Sequence, residues 1–93
     1  MEQRFIANKN YILRKIAGKY VLVSVGEAIA DFRGVVTLND SAKVLWSTLQ
    51  EGAAKEDLVA ALKEAFFVTE EQAKEDVERS LEILLERGMI LND

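Results

Sequence analysis

Gly34-Val35-Val36-Thr37-Leu38-Asn39-Asp40 is the stretch in which the hydrophobic period of this chain changes. Val35-Val36-Thr37-Leu38, bounded by Gly34 and Asn39, predicts a short strand built from residues that suit a pleated, half-buried surface. Upstream the pattern is that of sheet. Tyr11 to Ile16 and Tyr20 to Val25 are rich in β-branched and aromatic residues, and Ala17-Gly18-Lys19 between them supplies a short glycine-containing turn, so the pair reads as a β-hairpin. A looser segment, Gly26 to Gly34, leads from the hairpin to the third strand.

Downstream of Asn39 the period is helical. Asn39 or Asp40 can accept the unpaired amides of a first turn, and Leu38, Ala42, Leu45, Trp46 and Leu49 follow at spacings of 4, 3, 1 and 3 up to a stop at Gly52. A second helix carries Leu58, Ala61, Leu62, Ala65 and Phe66 on one stripe. Glu56 and Asp57 lie in its first turn, where the helix dipole favours negative charge, but it has no strong N-cap. The third helix starts with Thr69 and Gln72 at capping-box spacing, and Ala73, Val77, Leu81 and Leu84 continue its buried stripe to Gly88. Met89-Ile90-Leu91 then forms either a short strand or a tail packed on the core. The expected fold class is α+β, with an N-terminal three-stranded antiparallel sheet followed by three α-helices in a winged-helix-like arrangement, and residues 1–93 form a single domain.

Composition narrows the chemistry. The 93 residues are 49% hydrophobic and 30% charged, which is ordinary for a folded domain. Cysteine and histidine are absent, which excludes disulfides, thiolate nucleophiles, Cys/His zinc sites and any scheme that needs an imidazole. No metal and no cofactor is expected. Glu70, Glu71, Glu75, Asp76 and Glu78 make an acidic cluster, whose simplest reading is a solvated helix face with like-charged neighbours such as Glu71 and Glu75. The five glycines are scattered among turns and caps, so no phosphate loop is present. Trp46 reads as a core aromatic. No run of 18 apolar residues occurs, and Met1 to Ile6 lacks the apolar core of a signal peptide, so the expected location is cytoplasmic with no membrane partner.

Charge is divided unevenly. Residues 1–39 sum to +3 and residues 40–93 to −7, giving the overall −4. A winged-helix arrangement invites a DNA-binding reading. The third helix opposes it: Glu70 to Arg87 holds seven acidic side chains against Lys74, Arg79 and Arg87, whereas DNA affinity comes largely from Lys and Arg on phosphates. No nucleic acid partner is expected. The third strand is the less ordinary feature. It falls at a sheet edge and carries neither Lys nor Pro, the usual protections of an edge, so it either accepts an added strand or lies covered by the third helix. The same edge allows a monomer or a weak homodimer.

Leu38-Asn39, then Leu45-Trp46 with Leu49 and Gly52, then Leu58 to Phe66, Val68, Ala73, Asp76-Val77, Leu81, Leu84 and Gly88, together resemble the PqqD-like family in order and spacing over about Tyr11 to Leu91. That family includes the RiPP recognition element, a small winged-helix module that binds the leader of ribosomally made precursor peptides. The resemblance implies a non-catalytic peptide chaperone, not an enzyme. Its partners would be a precursor (leader) peptide and a modifying enzyme such as a radical-SAM protein or a leader protease. The leader would add as an antiparallel strand on Val35, Val36, Thr37 and Leu38, against a helical wall of Asp76, Val77, Ser80, Leu81, Ile83 and Leu84, with Val77, Leu81 and Leu84 shared with the core. Thr48 and Phe67 depart from the family pattern, which more usually has a leucine and a small or acidic residue there; Phe67, ahead of the capping box, would add an apolar contact of its own, and the +3 strand half would attract an acidic leader. The alternative is a winged-helix transcriptional or structural domain that acts through protein contacts.

Overall fold

A computed structural model describes residues 3–25 and 36–93. Its elements are β1 (Arg4–Ala7), β2 (Tyr11–Ile16), β3 (Lys19–Ser24), β4 (Val36–Leu38), α1 (Asp40–Leu49), β5 (Ala53–Ala54), α2 (Lys55–Ala65), α3 (Glu70–Glu86) and β6 (Ile90–Asn92). The expected antiparallel sheet is present in the order β2-β3-β4, so β4 is an edge strand. Val35 and the segment Gly26 to Gly34 lie outside the described residues.

The β2–β3 turn is tighter than the sequence pattern suggests. It holds only Ala17 and Gly18, at φ 52° and 79°, and Lys19 already pairs with Ile16. Positive φ at both central residues is the two-residue hairpin geometry whose twist matches that of the strands. Along β3 and β4 the side chains alternate: Leu22 and Leu38 are buried while Thr37 is exposed.

Each helix start has a local cause. The Asn39 side chain accepts from the Ala42 N–H at 2.8 Å, which caps α1. The Asp57 carboxylate accepts the Ala54 N–H at 3.0 Å at the head of α2, where the sequence offers no other cap. Thr69 and Gln72 exchange two bonds of 3.1 Å at the head of α3, closing the expected box. α1 ends at Leu49 with Gln50 as its C-cap, not at Gly52. Gly52, at φ +89°, turns the chain into β5.

A second antiparallel sheet, β5-β1-β6, has no counterpart in the sequence expectations beyond the strand option for residues 89–91. Phe5 pairs with both Ala53 and Asn92, so one short strand joins the start of the chain, the α1–α2 connection and the end of the chain. The core lies between the two sheets and the helices. It contains Phe5, Leu22, Leu45, Trp46, Leu49, Leu58, Leu62, Met89 and Ile90, together with all four expected α3 residues Ala73, Val77, Leu81 and Leu84. Two expectations are corrected here. Ala65 is exposed at the end of α2, and Phe67 lies fully open to solvent, because the chain turns at Phe66 so that Phe66 and Val68 pack inward instead. No helix among the described residues is long and apolar enough to cross a membrane.

Candidate functional site

The direction of the β4 backbone groups follows from the hairpin. In an antiparallel ladder, residues that exchange hydrogen bonds alternate with residues that do not. The Val25 N–H donates to the Asn10 carbonyl at 2.7 Å, so Lys19, Val21 and Val23 point their backbone groups at β2 and Tyr20 and Leu22 point theirs at β4. Tyr20 stands opposite Leu38, and Leu22 opposite Val36. Val36 and Leu38 are therefore bonded inward to β3, while Thr37, opposite Val21, directs its N–H and C=O away from the sheet.

Facing that edge is a groove of about 540 Å³ between β4 and α3. Val36, Thr37 and Leu38 form one side, and Asp76, Arg79, Ser80, Ile83 and Leu84 the other. The helical side is a second stripe at spacings of 3, 1 and 3 (Asp76, Arg79, Ser80, Ile83), lying beside the core stripe that starts at Ala73. Leu84 belongs to both faces, being 3% exposed. Its neighbour Ile83 is 42% exposed and presents an apolar surface to the groove. Arg79 and Asp76 form an ion pair at 3.6 Å in which Arg79 is largely and Asp76 partly solvated, so it adds little stability and leaves the Arg79 guanidinium able to exchange partners.

One end of the groove is closed by the β2–β3 turn and the first turn of α1, through Gly18, Lys19, Tyr20 and Asn39 to Ala42. There Lys43 Nζ stands 4.3 Å from the centre of the Tyr20 ring and 3.3 Å from its hydroxyl. Lys15 Nζ stands 5.6 Å from the same ring.

Of the residues expected to meet at the site, the groove gathers Val36, Thr37, Leu38, Asp76, Ser80, Ile83 and Leu84. It does not gather Val77 and Leu81. Both are core residues, 1% and 3% exposed, whose outer edges border other depressions, Val77 beside α2 and Leu81 beside Phe5. Val35 lies outside the described residues. Sequence reasoning missed Arg79, Lys19, Tyr20 and the α1 first turn. Arg79 had a usable signal in its spacing of three from Asp76 and four to Ile83. The remainder follow from the register of the hairpin. The acidic residues of α3 act as a solvated face: Glu70 pairs with Lys63 and Lys74, and Glu78 with Lys55, at 3.8 to 4.0 Å. Among the described residues no group of three or more Asp and Glu is placed to hold a metal ion.

Among the described residues, two sheets with three helices, and an edge strand facing a helix across a groove, define a winged-helix-like α+β module. The chain matches the family described as coenzyme PQQ synthesis protein D (PqqD) over residues 19–90 and belongs to it. No curated protein sequence matches it significantly. Among solved structures it is similar to TbiB1 in complex with the TbiA(beta) leader peptide, with a TM-score of 0.70 at 20% identity, covering 91% of this chain and 93% of that one. At that identity the likeness concerns the fold.

Proposed function

We propose that this chain binds the leader of a ribosomally made precursor peptide as an added strand on β4 and presents it to a modifying enzyme, such as a radical-SAM protein or a leader protease. It takes no part in the chemistry and works in the cytoplasm without a cofactor. The observation that carries this reading is the outward-directed backbone of Thr37, unpaired among the described residues, beside a groove walled by α3. In strand addition the main chain supplies affinity and alternate side chains supply specificity. A leader residue bonded to Thr37 shares its solvent-facing side, and the residues before and after it point into the groove towards Ser80, Ile83 and Leu84. Membership of the PqqD family and the likeness to TbiB1, whose structure holds a leader peptide, support the choice of partner. The groove residues include no imidazole or thiol, in keeping with a binding role.

The test is calorimetric titration of the protein with short peptides encoded beside its gene. Micromolar or tighter binding, about −8 kcal/mol or better, is the expected result. Co-purification of a neighbouring enzyme only when the peptide is present supports presentation. Failure of every such peptide to bind overturns the reading.

A further inference from the structure

We infer that, in a peptide added antiparallel to β4, the residues entering at the Tyr20 end carry negative charge. This rests on the strand-addition reading above. Leu38 lies opposite Tyr20 and Val36 opposite Leu22, so the C-terminal end of β4 abuts the Ala17–Gly18 turn. Every strand pair among the described residues is antiparallel. A strand that continues this pattern runs against β4, and its N-terminal side passes the turn, Tyr20 and the start of α1.

Charge is concentrated at this end. Lys43 and Lys15 both stand over the Tyr20 ring, and Lys19 lines the groove beside it. Neither lysine lines the groove itself, but the contacts hold both ammonium groups against Tyr20, which does, and this lowers the ordering cost of using them. Among the described residues that line the groove at this end, one carboxylate, Asp40, opposes these amines. Among the lining residues Lys19 is matched by Asp40 and Arg79 by Asp76, the latter pair at 3.6 Å, so the positive excess among the described residues comes from Lys15 and Lys43 over Tyr20. In a chain of net charge −4 this selects a particular ligand class. It is a peptide with carboxylates within about three residues, or roughly 10 Å of extended chain, on the N-terminal side of the residue bonded to Thr37.

The test uses three fluorescein-labelled synthetic peptides that share an alternating valine–threonine core. One has a glutamate pair on the N-terminal side of the core, one has the pair on the C-terminal side, and one has a lysine pair on the N-terminal side. Fluorescence anisotropy should show the first binding about tenfold tighter than the others at low salt. The advantage should fade near 0.5 M salt, where the Debye length is roughly 4 Å. In a protein carrying K15Q, K19Q and K43Q the three affinities should converge, and Asp40→Asn should tighten the first peptide further. Affinities within about twofold of each other on the parent, a preference that survives in the triple variant, or tighter binding of the C-terminal glutamate peptide each overturn the inference. Thr37→Pro separates this from the broader reading. If it abolishes binding of all three peptides while glutamate placement has no effect on the parent, only the charge inference fails. If Thr37→Pro binds like the parent, or the parent binds none of the peptides at millimolar concentration, strand addition fails with it.

Discussion

Thr37 stands opposite Val21 at a pairing site of the β3–β4 ladder where no hydrogen bonds are exchanged, and this leaves its N–H and C=O directed out of the sheet. Its neighbours have the opposite disposition. Val36 and Leu38 face Leu22 and Tyr20 at bonded sites, so the two kinds of residue in this short strand differ in what a substitution removes. Val36→Pro deletes an N–H that bonds to β3. It should lower stability by about 1 to 3 kcal/mol, the cost of leaving the partner carbonyl unsatisfied, and thermal unfolding would measure this. An unchanged melting temperature would mean that the register is different.

Ile83 and Leu84 are adjacent on α3 and should respond in opposite ways. Leu84 is buried, so Leu84→Ala should destabilise the protein by about 2 to 5 kcal/mol. Ile83 is substantially exposed at the groove, so Ile83→Asp should change stability by only about 0.5 kcal/mol while weakening peptide binding. Chemical denaturation and a peptide titration on the same two variants would separate the roles.

Ala17 is the only non-glycine residue with positive φ among the described residues, at 52°. A Cβ in the left-handed region is unfavourable, and asparagine tolerates it better than alanine. Ala17→Asn should therefore raise stability by roughly 0.5 to 1 kcal/mol with the hairpin register unchanged, as read by denaturant midpoint.

Trp46 is 3% exposed and packs within the main cluster. Trp46→Ala should cost about 3 to 5 kcal/mol, a large share of what a domain this size possesses. A variant that melts like the parent yet loses peptide affinity would assign Trp46 to the site instead.

The parts of this fold that are legible in the sequence are those set by neighbouring residues. The Thr69–Gln72 box and the Ala73, Val77, Leu81, Leu84 stripe need no tertiary context, because their partners lie within a turn or two of helix. The β5-β1-β6 sheet is the opposite case. Phe5 pairs with Asn92 from the far end of the chain, and β5 is a bare pair of alanines, so neither strand has a period long enough to read. The edge position of β4 follows from strand order, but the outward direction of Thr37 depends on whether the turn holds two residues or three. Alanine in a left-handed conformation hides that answer. At the site, Val77 and Leu81 share their helix with Asp76, Ser80 and Ile83, and side-chain direction alone sends the first two to the core and the others to the groove.

The most direct test of strand addition is amide hydrogen exchange at β4, followed by NMR with and without a leader peptide. In the free protein the Val36 and Leu38 amides should be protected by their bonds to β3, and the Thr37 amide should exchange freely. On adding peptide, protection should rise at Thr37 while Val36 and Leu38 stay as they were. A bound peptide that leaves Thr37 exchange unchanged would contradict the account, because the peptide would then lie elsewhere than along this edge.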